Sequence, residues 1–254
     1  MNLFSLTGKT AVITGGNSGI GLGMALGLAK AGANIAIIGR NKKKNIKSLE
    51  KVKKIGTRAI AIEADVRCSV SAKSAIKEIK KEFRQINILI NNAGTTIRKP
   101  AEKLTEEEWL LVIDTNLTST FIWSVNCYPE FKKMGGGKIL NNGSMLSLFG
   151  SPWGSAYGAS KGGVMQLTRS HATAWASENI QVNCFLPGWI DTELTKQARK
   201  KIPGLNKKVL DRTPAARWGT PKDMEGIAVF LASPASDFIT GTAIPIDGGF
   251  SISI

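Results

Sequence analysis

The chain has 254 residues, enough for one large α/β domain or two small ones, and no break in composition argues for two. Hydrophobic residues make up 43% and charged residues 21% of it, as in soluble globular proteins. No apolar run reaches the roughly 18 residues of a membrane helix, and the N-terminus lacks the pattern of a signal peptide. We therefore expect a cytoplasmic protein with no membrane partner.

The net charge of +15 raises the question of nucleic-acid binding, because basic surfaces neutralise phosphate. The lysines are spread along residues 41–54 and 73–81, as on solvated helix faces, so we expect no nucleic-acid partner. An anionic substrate or an acidic carrier protein remains compatible with this charge. Three widely spaced cysteines, Cys68, Cys127 and Cys184, favour a reducing compartment over a disulfide framework and predict no metal site.

The first predicted strand, residues 10–14, leads into a glycine-rich turn and a helix over residues 20–31. We call Thr14-Gly15-Gly16-Asn17-Ser18-Gly19-Ile20-Gly21 the glycine-rich turn. Glycines let the backbone pass close to a pyrophosphate, and a helix N-terminus offers free amide donors. The glycine spacing differs from Gly-x-Gly-x-x-Gly, so the turn alone leaves dinucleotide binding undecided.

The second predicted strand, residues 33–38, ends at Gly39-Arg40-Asn41. An acidic residue at this strand end would bond the ribose hydroxyls of NAD, whereas an arginine accommodates a 2′-phosphate. The sequence has no acid there and does have Arg40. It therefore predicts a preference for NADP(H), with NAD(H) also possible, and an exposed arginine without a ligand is the alternative.

Strands and helices alternate through the rest of the chain. Helices at 41–55 and 70–83 separate strands at 58–63 and 86–90, and further strands are predicted at 138–142, 180–185 and 243–246. This alternation predicts a parallel sheet of about seven strands with helices on both faces, a doubly wound Rossmann-type fold in which residues 1–254 form a single domain. Asn91-Asn92-Ala93-Gly94, the asparagine turn, follows the fourth strand at its carboxyl end, where such sheets bind ligands.

Tyr157 and Lys161 lie one turn apart on a helix predicted over residues 156–176. An ammonium beside a phenol lowers the tyrosine pKa from its usual value of about 10, which makes Tyr157 a candidate acid or base. Ser144 follows the fifth strand and is placed to bond the same substrate oxygen. Taken alone, the tyrosine and lysine are more typical of an ordinary helix pair.

Two further segments of the sequence allow a prediction. Asn116 falls inside a predicted helix. Because an asparagine that is buried without a hydrogen-bond partner is costly, we expect this one to be exposed or hydrogen-bonded. Residues 193–212 show little regular apolar periodicity and contain Pro203-Gly204. They predict a long polar loop that forms a substrate lid at about residues 190–215, with a disordered loop as the alternative.

These motifs, in this order and joined by Pro187-Gly188, resemble the short-chain dehydrogenase/reductase family over residues 6–249. The resemblance implies an enzyme that interconverts a secondary alcohol and a ketone with NAD(P). It implies that Tyr157 protonates the substrate oxygen, Ser144 holds it, Lys161 binds ribose and lowers the tyrosine pKa, and Asn116 completes a proton relay. Small residues on the long helix, such as Gly158 and Gly162, imply a subunit contact in a homotetramer or homodimer.

The resemblance also implies a cofactor-binding set. In it Asp65 bonds the adenine amino group, and Ile190 and Thr192 meet the nicotinamide carboxamide. The whole set is Gly15, Asn17, Ser18, Gly19, Ile20, Gly21, Arg40, Asn41, Asp65, Val66, Asn92, Ala93, Gly94, Tyr157, Lys161, Pro187, Gly188, Ile190 and Thr192.

The substrate is a small molecule with a carbonyl or hydroxyl group. Residues 95–100 and 214–219 look most similar to sugar-acid dehydrogenases of the gluconate and deoxygluconate type. Arg98 and Lys99 are candidates to pair a substrate carboxylate, and a solvated pair is the alternative. Reduction of 3-oxoacyl groups on an acyl-carrier protein is the second hypothesis. A non-catalytic dinucleotide-binding scaffold, which would lack the serine, tyrosine or lysine, is the third.

Overall fold

A computed structural model describes residues 2–253 of the chain and contains a parallel sheet. Its strands are β1 (Thr10–Thr14), β2 (Asn34–Ile38), β3 (Ala59–Ile62), β4 (Ile88–Asn91), β5 (Gly137–Asn142), β6 (Ile180–Pro187) and β7 (Ala243–Ile246). They form one 7-stranded sheet in the order β3-β2-β1-β4-β5-β6-β7, and every neighbouring pair is parallel. The predicted α/β fold is confirmed.

Helices cover both faces of this sheet. They are α1 (Gly19–Lys30), α2 (Lys42–Lys53), α3 (Ser69–Phe83), α4 (Glu106–Ile113), α5 (Ser119–Lys133), α6 (Ser155–Trp175), α7 (Glu193–Lys201), α8 (Leu205–Arg212) and α9 (Glu225–Ala232). One core joins α1, α2 and α9 to the sheet, and the other joins α3, α5 and α6 to its opposite face. Within β1, Ile13 packs into the first core and Val12 into the second. This explains why the strands are continuous apolar runs rather than alternating ones.

The order of the sheet fixes where a ligand binds. β1 lies between β2 and β4, so the crossovers leave β1 and β4 in opposite directions and open a crevice at their carboxyl ends. The glycine-rich turn follows β1, and the asparagine turn begins at Asn91, the last residue of β4. The two turns that the sequence singled out therefore flank the same crevice.

The prediction of a polar loop over residues 193–212 was wrong, because the segment forms α7 and α8. Its apolar residues recur at helical spacing and pack on Trp189 and Trp218, outside the segment: Ala198, Ile202, Leu205 and Val209. Pro203-Gly204 only breaks the helix into two parts. The periodicity was present, but the interruption and the many lysines obscured it.

Several boundaries also differ from prediction by a few residues. β4 includes Asn91, whose side chain donates to Ser124 Oγ and Asn141 Oδ1, and β6 continues to Pro187. Before α9 begins at Glu225, the chain forms a 3-10 turn over Pro221–Met224. Within residues 2–253, no helix has the length and apolar character needed to cross a membrane.

Candidate active site

A cavity of about 750 Å³ opens at the carboxyl edge of the sheet. Volumes of this size are typical of small-molecule and cofactor sites. Most of the predicted site residues line it: Gly15, Asn17, Ser18, Gly19, Ile20, Arg40, Asn41, Val66, Asn92, Ala93, Gly94, Ser144, Tyr157, Lys161, Pro187, Gly188, Ile190 and Thr192. The fold thus brings together residues that are up to 177 positions apart in the chain, from Gly15 to Thr192.

Three predicted site residues do not line the cavity: Gly21, Asp65 and Asn116. A Cβ on Gly21 would lie 2.4 Å from Asn92 Nδ2, so this glycine permits close packing of the two turns. Asp65 is bound by Arg67, whose Nη2 lies 2.7 Å from Oδ2, and this pairing holds the pKa of the Asp65 carboxyl below its usual range. The third, Asn116, is buried and bonds Thr95, which lines the cavity.

The two turns are locked to each other by hydrogen bonds. Asn92 Nδ2 donates to the carbonyl oxygens of Thr14 and Gly15 at 3.1 and 3.2 Å. Thr14 Oγ1 accepts from the backbone amides of Asn92 and Ala93 at 3.0 and 3.1 Å. Gly15 has a φ of +62°, a conformation that favours glycine. The glycine-rich turn is therefore held open before the N-terminus of α1, where a phosphate group fits.

The sequence analysis missed one basic residue of the cavity. Lys44 lines the same end as Arg40, because Asn41 caps α2 by accepting from the Lys44 amide at 2.9 Å. No carboxylate from the end of β2 faces them. The sequence signal that could have identified Lys44 is its position in the first turn of a capped helix close to Arg40. The pair supplies the positive charge that a 2′-phosphate requires.

Lys161 is 3% exposed, and its ammonium donates to the carbonyl oxygen of Asn142. Its Nζ lies 5.7 Å from the centre of the Tyr157 ring, as the helical spacing predicts. Burial lowers the pKa of Lys161 to about 8, because it disfavours the charged form. The lysine therefore loses its charge at a pH close to neutrality.

The expectation that the tyrosine pKa is lowered differs from the structure. Burial raises the pKa of Tyr157, while the Ser144 hydroxyl and the charge of Arg98 lower it by less. The ammonium of Lys161 lies over the ring and is bonded to Asn142, so it is not directed at the phenol oxygen. In the protein without cofactor, Tyr157 is thus a protonated phenol at neutral pH and is suited to donate a proton.

Asn116 is 1% exposed and fully hydrogen-bonded, which confirms the expectation for a buried asparagine. It lies in a π-helical turn, Asp114–Thr118, that joins α4 to α5. Its Oδ1 accepts from the Thr95 amide at 2.8 Å, and its Nδ2 donates to Ser160 Oγ at 2.9 Å. Ser160 in turn donates to the Tyr157 carbonyl. π-Turns occur often at functional sites, and this one links Asn116 to the turn of α6 that carries Tyr157.

Of the two candidate carboxylate partners, one is already engaged. Lys99 pairs with Glu108, so its charge is already matched by a carboxylate of the chain. No salt bridge in residues 2–253 involves Arg98. Partial desolvation lowers the pKa of Arg98, although much of the side chain is exposed, and its charge acts on Tyr157. Arg98 is a positive charge without a carboxylate partner near the tyrosine.

The fold and the cavity define a dinucleotide-binding protein of the Rossmann type, with a serine, a tyrosine and a lysine beside the cleft. Residues 15–251 match the family described as enoyl-(acyl carrier protein) reductase. The chain belongs to the short-chain dehydrogenase/reductase family and is an NAD(P)-dependent oxidoreductase acting on CH–OH groups.

Similar proteins carry names from sugar-acid metabolism. The chain is 42% identical to 2-dehydro-3-deoxy-D-gluconate 5-dehydrogenase of Dickeya dadantii over 98% of each chain. It is 39% identical to 5-keto-D-gluconate 5-reductase of Escherichia coli over 100% of this chain and 99% of the relative. The solved structure of gluconate 5-dehydrogenase from Burkholderia cenocepacia, in complex with NADP and tartrate, is 36% identical with a TM-score of 0.94, over 100% of this chain and 99% of that one.

We predict that NADPH binding depends on pH through Lys161. The ammonium form predominates below the lysine pKa of about 8 and attracts the anionic cofactor, so affinity should be constant at lower pH. Above that value the lysine loses its charge, and the Kd should rise by up to about tenfold per pH unit. Fluorescence titration from pH 6 to 10 measures this. Lys161→Met should bind more weakly and lack the break near pH 8; a break that persists in this variant would contradict the assignment.

Proposed function

We propose that the protein is an NADP(H)-dependent oxidoreductase that interconverts a hydroxyl and a keto group of a sugar acid such as a gluconate or deoxygluconate. The observation that carries the sugar-acid part is Arg98, which lies just past the asparagine turn and has no salt-bridge partner within residues 2–253; its charge acts on Tyr157. In a substrate with a carboxylate a few bonds from its reacting carbonyl, the carboxylate would pair with Arg98 and the carbonyl oxygen would bond Tyr157. The names of the similar proteins support the same substrate class.

Each catalytic side chain has a role in this proposal. When bound, the nicotinamide supplies or accepts the hydride. In the reduction direction, the phenol of Tyr157 donates its proton to the carbonyl oxygen, and its raised pKa keeps that proton available at neutral pH. Ser144 donates a hydrogen bond to the same oxygen, which stabilises the negative charge that develops there. Lys161 binds the cofactor ribose, and Asn116 positions the first turn of α6 through Ser160.

The preference for NADP(H) rests on charge. Arg40 and Lys44 face the end of the cavity nearest β2, where a 2′-phosphate would lie. The gluconate 5-dehydrogenase of Burkholderia cenocepacia was solved with NADP, which supports the same cofactor here. The Asp65 carboxylate accepts from Arg67 and keeps acceptor positions for the predicted bond to the adenine amino group.

We also propose that residues 1–254 form a single domain and that α7 and α8 form the substrate lid. In support, Glu193, Leu194 and Thr195 of α7 line the cavity. Trypsin should therefore cleave at Lys200 and Lys201 more slowly once NADPH is bound, and equal cleavage with and without it would contradict a lid.

A cytoplasmic location fits three cysteines that are all free thiols, and cell fractionation tests it.

A homotetramer, or a homodimer, is the proposed assembly. α4 and α5 expose four large apolar side chains, with exposed fractions from 37 to 47%: Trp109, Leu110, Leu111 and Phe121. On α6, no neighbouring atom among residues 2–253 lies within 4 Å of the position of a Cβ on Gly162, which leaves room for the close approach of another helix. Light scattering should give two or four times 27.2 kDa, and a single species at 27.2 kDa would contradict the proposal.

The substrate class is tested by the rate of NADPH oxidation with two sets of ketones. We expect turnover of 5-ketogluconate or a 2-dehydro-3-deoxygluconate-type acid and little turnover of an acetoacetyl thioester. Preference for the thioester would instead support reduction of carrier-bound 3-oxoacyl groups and give the basic surface a partner. NADPH binding without turnover of either set would support the non-catalytic scaffold.

We predict that Arg98→Leu lowers kcat/KM for the keto acid by about 10- to 100-fold, the effect of losing a charge-assisted bond to a carboxylate. Lys99→Leu is the matched control, because it removes an adjacent positive charge that pairs with Glu108. Partly exposed ion pairs contribute little, so the control should stay within about fivefold of the parent. Steady-state kinetics at fixed ionic strength compares the two. Equal losses would show that only general charge matters.

A further inference from the structure

Asn142 stands where the sequence pattern favours an apolar residue. It is the last residue of β5, and Ile139 and Leu140 before it are fully buried. Its side chain lines the cavity together with Lys161 and Asn92. The proposed chemistry does not use it.

The direction of the Asn142 amide follows from its neighbours. Asn92 donates through Nδ2 to the carbonyl oxygens of Thr14 and Gly15, so the remaining Oδ1 of Asn92 can only accept. It accepts from Nδ2 of Asn142 at 3.0 Å. An apolar side chain at position 142 would leave this oxygen of Asn92 without its donor.

The main chain of Asn142 makes a second contact. Its carbonyl oxygen accepts from the ammonium of Lys161. One residue therefore contacts the lysine on one side and, through Asn92, the glycine-rich turn on the other. A continuous series of hydrogen bonds, from Lys161 through Asn142 and Asn92 to Gly15, crosses the wall of the cavity.

The stability of the fold does not explain an asparagine here. Its Oδ1 is buried and has no hydrogen-bond partner in residues 2–253. A buried oxygen without a partner destabilises a protein, and leucine has nearly the same shape without that cost. The bond that Asn142 donates to Asn92 is what the asparagine adds.

We propose that Asn142 is a positioning residue for the cofactor, which acts through Asn92. It fixes the glycine-rich turn, which faces the phosphates, relative to Lys161, which faces the ribose near the nicotinamide. This inference rests on the proposed function, because it requires that the cavity binds a dinucleotide. It concerns the ribose and phosphate part of the cofactor and not the 2′-phosphate end at Arg40 and Lys44.

The test compares binding of two ligands to the Asn142→Leu protein by fluorescence titration and calorimetry. The Kd for NADPH should rise about five- to tenfold, as expected for losing one neutral hydrogen bond. The Kd for adenosine 2′-monophosphate should not change, since this probe has no phosphate for the glycine-rich turn. In kinetics, KM for NADPH should rise with little change in kcat, because the carbonyl that holds Lys161 remains.

The melting temperature without ligand separates positioning from a purely structural role. It should change little in Asn142→Leu, because the variant loses an unpaired buried oxygen but also leaves the Asn92 oxygen without its donor. Weaker binding of both ligands together with a lower melting temperature would overturn the proposal. Unchanged NADPH binding in Asn142→Leu would overturn only the proposed role of Asn142. A parent protein that does not bind NADPH would overturn the proposed function as well.

A second variant tests the route through Asn92. On an Asn92→Ala background, Asn142→Leu should cause no further loss of NADPH affinity, because its partner is already absent. Additive losses from the two substitutions would mean that Asn142 acts independently of Asn92, and would contradict this mechanism. Asn142→Met also removes the donor and adds no charge, so it should weaken NADPH binding even if the leucine variant fails to fold.

Discussion

The close approach of two backbone turns is the constraint on which the site depends. Gly21 has no Cβ, and only for that reason can Asn92 lie close enough to bond the carbonyls of Thr14 and Gly15. These bonds fix the carboxyl ends of β1 and β4 at the point where the order of the sheet reverses. The glycine-rich turn, Lys161 and Tyr157 then face a single cavity.

Burial sets the electrostatics inside that cavity. It lowers the pKa of Lys161 to about 8 and raises the pKa of Tyr157, so both groups favour their neutral forms more than they would in water. An anionic cofactor counteracts the first effect, because it stabilises the ammonium. Cofactor binding and the charge of Lys161, which lies beside Tyr157, are therefore coupled. Arg98 adds a positive charge that acts on the tyrosine and has no salt-bridge partner of its own among residues 2–253.

Elements that are set by local pattern were predictable from sequence, whereas features set by tertiary partners were not. Buried parallel strands are continuous apolar runs, and the glycine-rich turn has a recognisable composition, so the sheet and most cavity residues were found. The helices α7 and α8 were missed because their apolar residues pack on Trp189 and Trp218, outside the segment. Helical spacing placed Lys161 near Tyr157 but did not indicate its bond to Asn142 or the extent of burial. The same limit applies to Lys99, whose partner Glu108 lies in the next helix.

The central claim is that Tyr157 transfers the proton while other residues bind the cofactor. Comparing turnover and NADPH affinity in Tyr157→Phe tests it most directly, since this change removes one oxygen and keeps the ring beside Lys161. The account predicts that kcat falls by about 10²- to 10⁴-fold while the Kd for NADPH stays within about threefold of the parent value. Turnover at the parent rate in this variant would contradict it.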